Sequence, residues 1–183
     1  IIVALADYIV NKPILRTERL TLRQLQPSDL PALKEWMADK TMYTYWGKPA
    51  GKTDKNPELL FEKVQKNTKS FHWGIALHEN DQVIGEAWIY LIEKDRMAKI
   101  ALRIAPAYQG RGLATEAVKA IIDFCFTHTE LQRIWTDVDT RNIASWKVLE
   151  KCGFTREGMI RQGKMVNTWC DYYIYGLLKT DLP

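Results

Sequence analysis

Apolar and polar residues alternate through "LTLRQL", Leu20 to Leu25, which reads as a strand. "PSDL" follows. Ser28 or Asp29 there is suited to cap a helix through about Ala38, with Leu30, Leu33 and Trp36 on one face. The next stretch, "DKTMYTYWGKPAGKTDKN", is loop-like yet rich in aromatics. Asn56, Pro57 and Glu58 then open a second helix, because proline suits a first helical turn; Leu60, Phe61 and Val64 give it a buried face.

Strands come next. "FHWGIAL" and "VIGEAWIYLI" flank "HENDQ", a hairpin by its turn residues, and after "EKDR" the run "AKIALRI" is a third strand stopped by Pro106. "GLATEAVKAIIDFCFT" has a helical period: Leu113, Ala117, Ile121 and Cys125 form one row and Ala114, Val118, Ile122 and Phe126 lie beside it. Glu116, Lys119 and Asp123 fall on the opposite, polar face. "RIWTDVD" is a strand, "NIASWKVLEKCG" a helix stopped by Gly153, and "TREGMIRQGKM" and "WCDYYIYGLL" two closing strands. The order β, α, α, β, β, β, α, β, α, β, β mixes hairpins with crossover helices. It predicts a single α/β (α+β) domain over residues 1–183 in three layers, not a regular doubly wound sheet.

Composition adds limits. At 46% hydrophobic and 26% charged residues in a chain of 183, the sequence is globular and long enough for one real core. The formal charge of +4 suits an anionic or phosphate-bearing ligand, and no block of like charge resembles a nucleic-acid arm. Cys125, Cys152 and Cys170 are too few and too scattered for a disulfide framework or a zinc pattern, so we expect buried free thiols, no metal and a reducing compartment. The opening "IIVALADYIV" is apolar but interrupted by Asp7 and far shorter than the ~20 residues of a membrane helix. It is expected to be a short strand or tail of a cytoplasmic protein with no membrane contact.

"YQGRGLATEAV", Tyr108 to Val118, joins a strand to a helix. Glycines let the backbone turn tightly and approach a ligand, and the unpaired amides and dipole of a helix start favour an anion. Arg111 adds a positive charge. Glycine is also common in plain strand–helix turns, so the string alone leaves both readings open. No Gly-Lys-Ser/Thr follows, and G-x-G-x-x-G would need glycine at Thr115, so neither a Walker loop nor a dinucleotide fingerprint is present.

Gln109-x-x-Gly112-x-Ala114 resembles the Q/R-x-x-G-x-G/A signature of the GCN5-related N-acetyltransferases (GNAT). "LRTERLTLR", "GLATEAV", "RNIASWKVLEKCGF" and a closing W-x-D-Y-Y-x-Y are similar, in order, to the branch of RimJ/RimL-like ribosomal-protein acetyltransferases, across about Ile14 to Lys179. The resemblance implies a mixed, mostly antiparallel sheet of about seven strands with about four helices, splayed at its centre. It also implies acetyl-CoA as co-substrate. Pantetheine would meet the backbone of Leu102, Arg103 and Ile104, and the amides of Gln109, Gly110, Arg111, Gly112, Leu113 and Ala114 would hold the pyrophosphate.

Thioester-to-amine transfer needs a neutral amine, a donor for the oxyanion and an acid for the thiolate; direct attack needs no protein nucleophile. Many family members carry a Tyr where this chain has Leu149; the RimJ/RimL-like N-x-x-S is Asn142 and Ser145, either contacts of CoA and its sulfur or a helix cap and an interior serine. Glu86, on one face with Trp88 and Tyr90, is a candidate base with a raised pKa or else a paired structural carboxylate. His72, Glu157 and Asp171 are further titratable groups, and water alone is an alternative. Trp36, Tyr43, Tyr45, Trp46 and Trp88 are candidates to wall the acceptor site or to pack over the sheet edge. The expected acceptor is a protein N-terminus, such as that of a ribosomal protein, or a small amine (polyamine, amino acid, antibiotic). A non-catalytic acyl-CoA-binding domain is the reading from another class. A monomer or homodimer is expected.

Overall fold

The computed structural model describes residues 5–10, 12–46, 56–94, 96–166 and 168–182. Residues 47–55 of the aromatic-rich connection, 1–4 of the opening apolar run and Asp95 of the expected "EKDR" turn lie outside the described residues. The strands are β1 (Leu15–Arg16), β2 (Leu20–Arg23), β3 (Phe71–Leu77), β4 (Val83–Glu93), β5 (Met97–Ile104), β6 (Arg133–Asp139), β7 (Thr155–Met165) and β8 (Thr168–Leu178). The helices are α1 (Leu5–Val10), α2 (Leu30–Met37), α3 (Pro57–Lys66), α4 (Leu113–His128) and α5 (Ile143–Lys151).

All eight strands form one sheet in the order β1-β2-β3-β4-β5-β6-β8-β7. Every pair is antiparallel except β5–β6, which α4 joins by a crossover. Phe71, Trp73 and Ile75 pack with α4 and α1 in one core cluster, while Ala76 packs with Leu33, Trp36 and Met37 of α2 and Leu60 and Val64 of α3 in another. Strand alternation therefore puts α1 and α4 on one side of the sheet and α2 and α3 on the other.

The expected elements form in the expected order, with two additions. The opening run is not a strand where it is described: 5–10 is α1. Leu5 and Ile9, one helical turn apart, are buried, and the Tyr8 ring meets Phe124 edge-on at 5.2 Å. A short apolar run does not separate a period of two from one of 3.6; packing against α4 decides it. The two-residue β1, antiparallel to β2, brings the sheet to eight strands.

The parallel pair positions the site. β5 pairs with β4 from Met97 to Ile104, but with β6 only at Met97–Arg133, Ala98–Ile134 and Lys99–Trp135. β6 continues with β8 as far as Asp139. Beyond Lys99 the two central strands part, and the sheet opens.

Candidate active site in the opened sheet

The turn at the far end of β5 is built for glycine. Gly110 and Gly112 sit at φ 75° and 78°, in the left-handed region that side chains disfavour. Gly112 is the N-cap of α4, so the unpaired amides of the first turn of α4 begin directly after it. A Cβ on Gly110 would meet nothing within 4 Å, and one on Gly112 only Arg19 Nη2 at 3.6 Å. The turn thus offers open backbone with two guanidinium groups, Arg19 and Arg111, close by.

Its neighbours hold it in place. The Gln109 amide nitrogen donates to the Ile104 carbonyl at 2.8 Å, and the Arg111 guanidinium lies 5.5 Å over the Tyr108 ring. Arg19 donates to the Arg111 carbonyl at 3.0 Å. Glu116 accepts from the Thr17 hydroxyl (2.6 Å), the Arg19 amide (2.8 Å) and Arg19 Nε (2.7 Å). Burial would raise the Glu116 carboxyl, but these donors outweigh it and hold it below its ordinary range. The polar face of α4 therefore braces the turn against the N-terminal segment, and Arg19 is a residue the sequence reading passed over.

The free edge of β5 leads away from this turn. The Ala105 amide donates to the Ile84 carbonyl on β4 at 2.7 Å, while the Ile104 carbonyl, turned the other way, takes Gln109. By alternation the peptide groups of Ile100, Leu102 and Ile104 face the gap, and that of Arg103 faces β4. The expectation that Arg103 meets pantetheine through its backbone is corrected: its peptide group belongs to the β4 ladder.

A cleft of about 390 Å³ fills the opening. Leu102 and Arg103 of β5, Thr136 to Asp139 of β6, and Asn142, Ser145 and Leu149 of α5 line it. Asn142 caps α5, its side-chain oxygen accepting from the Ser145 amide at 3.3 Å, and both residues also face the cleft. Tyr45, Trp46 and Trp88 form an aromatic wall. Trp36 and Tyr43 do not line it: Trp36 is buried in the α2–α3 core, and the Tyr43 hydroxyl donates to the Met37 carbonyl at 2.9 Å.

Glu86 stands behind this wall, with no exposed surface. Its Oε1 accepts from Arg103 Nε at 2.6 Å and from Nη2, and its Oε2 lies 2.6 Å from His72 Nε2. Burial alone would raise its pKa, as the sequence suggested. The Arg103 charge and the His72 hydrogen bond reverse the direction and hold the carboxyl below its ordinary range. Glu86 is thus an ionised, fully paired carboxylate. Arg103 lies 5.3, 5.6 and 5.6 Å from the rings of Trp36, Trp46 and Trp88.

Two further pairs mark the parting of the strands. Lys99 Nζ donates to Asp137 Oδ2 at 2.7 Å, tying β5 to β6. Asp139 accepts from the Arg141 amide and guanidinium, and the Arg141 hydrogen bonds hold its carboxyl low against the opposing effect of burial. The first pair does not show in the sequence, because it needs β5 to lie beside β6; the second lies two residues apart at the end of β6. Cys125, Cys152 and Cys170 are free and buried. Among the described residues no helix is long and apolar enough to cross a membrane.

A family model described as "Acetyltransferase (GNAT) domain" matches residues 19–155, the span from Arg19 to the start of β7. The chain is 30% identical to the Bacillus subtilis protein named Uncharacterized N-acetyltransferase YoaA, over 91% of this chain and 97% of that one. Its fold is similar to a ribosomal-protein-S5-alanine acetyltransferase from Vibrio fischeri (TM-score 0.80, 20% identity, 94% of this chain and 100% of that one). It is also similar to a spermidine N-acetyltransferase from Vibrio cholerae in complex with CoA and spermine (TM-score 0.76, 23% identity, 90% and 98%).

Proposed function

Since the chain belongs to the GNAT family of N-acetyltransferases, we propose that it transfers an acetyl group from acetyl-CoA to the N-terminal amine of a protein such as a ribosomal protein. The observation that carries the donor half is the join of two features. The β5 edge loses its ladder partner at Lys99, and a turn with two left-handed glycines stands at its end, opening α4. An extended thioester arm would lie along Leu102 and Ile104, and its pyrophosphate would meet the amides from Gly110 to Ala114.

The residues fit direct attack. The amine must arrive neutral, attack the thioester carbon and leave an oxyanion, for which the gap-facing amides of Leu102 and Ile104 are the donors at hand. As the C–S bond breaks, the Ser145 hydroxyl on the cleft wall serves as partner of the departing sulfur, in a helix where Leu149 has no hydroxyl.

Charge supports a peptide acceptor over a polyamine. Among the described residues each carboxylate of the wall already has a cation, Asp137 with Lys99 and Asp139 with Arg141, and Glu86 behind it has Arg103. A polyamine brings further ammonium groups that need carboxylates; a peptide N-terminus brings one. Thiol release from acetyl-CoA, measured with a peptide bearing a free N-terminal Ala or Ser and with spermidine, tests this. Release with the peptide is expected. Release with spermidine alone makes the acceptor a small amine, and CoA binding without release from any amine makes the chain a binding domain.

A further inference from the structure

Among the described residues three buried polar side-chain atoms lack a hydrogen-bond partner: Trp36 Nε1, Trp135 Nε1 and His72 Nδ1. The first two are indole donors. The third is a ring nitrogen of a titratable side chain on the cleft wall. An unpaired buried polar atom in a native fold calls for a reason.

Its state follows from its neighbours. Arg103 occupies Glu86 Oε1, which leaves Oε2 to His72 Nε2 at 2.6 Å. A carboxylate beside a guanidinium only accepts, so Nε2 carries the hydrogen, and the lone pair of a neutral ring then sits at Nδ1. The ring is packed edge-on against Trp88, centroids 5.2 Å apart, and Trp88 in turn meets Trp46 at 6.1 Å. A carboxylate behind, a fixed tautomer and a bare nitrogen on a ring that walls the cleft are the parts of a general base.

We infer that His72 takes the proton from the acceptor ammonium at Nδ1, with Glu86 and Arg103 as positioning residues; this rests on the acetyltransferase reading above. The ammonium gives one proton to Nδ1 and becomes a neutral amine. Its electron pair forms the C–N bond to the thioester carbon, and the carbonyl electrons move to oxygen. Collapse breaks the C–S bond. The second proton of the new amide nitrogen passes to the thiolate by way of the Ser145 hydroxyl, giving CoA thiol, and the imidazolium returns its proton to solvent once the product leaves. The positive charge only moves from the amine to the ring, so the cleft gains no net charge.

The same cluster also pins three strands, since Glu86 pairs directly with Arg103 and His72 lies on neighbouring β3. His72→Gln separates the two roles, because glutamine keeps an N–H for Glu86 but cannot take a proton. In the full chain with acetyl-CoA and the free-N-terminus peptide or spermidine, whichever the wild type acetylates, kcat should fall by about a hundredfold. KM, the acetyl-CoA Kd and the unfolding midpoint should stay near wild type. The charged groups against the ring are Glu86 from β4 and Arg103 from β5. The loss should therefore shrink as pH rises into the range where the acceptor amine is itself neutral. Wild-type kcat in the variant, or a loss equal at every pH, overturns the inference. Nitrogen NMR of the wild-type imidazole decides even if the variant fails to fold: hydrogen at Nε2 is expected, and hydrogen at Nδ1 overturns it. Absence of turnover in the wild type overturns the acetyltransferase reading and this inference together, whereas turnover surviving in His72→Gln overturns only the latter.

Discussion

Replacing Gly112 by Asn and by Asp isolates the charge at the proposed pyrophosphate seat. Gly112 sits at φ 78°, and a Cβ there meets only Arg19 Nη2 at 3.6 Å. Both side chains thus have room and share the same left-handed strain of about 1–2 kcal/mol. They differ by one negative charge. Two unit charges about 4 Å apart repel by about 1 kcal/mol in a water-like medium and about 4 kcal/mol near a protein surface. The turn is exposed, and Arg19 would partly neutralise the new carboxylate, so the low end applies. Asp should therefore bind acetyl-CoA about fivefold more weakly than Asn. Near 1 M salt, where screening acts over about 3 Å, the difference should fade. Calorimetric titration of both folded variants at low and high salt measures this. Equal affinity for Asn and Asp, or a difference that salt leaves untouched, would remove the pyrophosphate from this turn.

Ser145→Ala should lower kcat while leaving the acetyl-CoA Kd within about twofold, because a hydroxyl that serves the departing sulfur acts on the transition state; unchanged kcat in steady-state assays takes Ser145 out of the mechanism. Glu116→Ala removes acceptors from Thr17 and Arg19, so it should destabilise the fold by about 1–3 kcal/mol in denaturant unfolding and weaken acetyl-CoA binding through the released turn. A variant that loses neither would show that the brace is idle. The carboxyls of Glu86, Glu116, Asp139 and Glu157 are all held below their ordinary range. The unfolded state therefore binds protons first, and the stability these groups add is present above about pH 4 and lost as pH falls through their folded values. A thermal midpoint that rises or stays level between pH 5 and 3 contradicts this sign. Burial pushes the Cys152 thiol up to about 11 and raises Cys125 and Cys170 as well. All three should therefore react with a disulfide reagent at pH 8 far more slowly in the folded than in the unfolded chain.

The sequence carried the parts of the site that are local. Gly110 and Gly112 between an apolar strand and an amphipathic helix state a turn and a helix start within eleven residues, "YQGRGLATEAV", and Asn142 with Ser145 states a cap and its first turn. What is not local stayed hidden. Arg19 and Glu116 are 97 residues apart in the chain, and only β2 lying beside α4 brings them together. Glu86 looked like a carboxylate among aromatics because Trp88 and Tyr90 share its face. The partners that set its charge, His72 and Arg103, come from the strands on either side, and the register of β3, β4 and β5 brings them to it. Trp36 and Tyr43 looked like wall residues for the same reason: nearness in sequence to Tyr45 and Trp46 says nothing about which side of α2 they pack on. The acceptor is legible only as far as Trp46, since residues 47–55 lie outside the described chain.

The central claim is that the donor lies along the free edge of β5 and ends on the turn before α4. Backbone amide NMR of the full chain, titrated with acetyl-CoA and separately with an acetyl-pantetheine that lacks the pyrophosphate, tests it most directly. With acetyl-CoA, the amides of Leu102, Ile104, Gly110, Arg111, Gly112, Leu113 and Ala114 should shift together. With the truncated donor, Leu102 and Ile104 should still move while the turn stays still. Shifts clustered instead around the second cavity, lined by Lys12, Gln26 and Phe61, or a turn that moves equally with both donors, would contradict it.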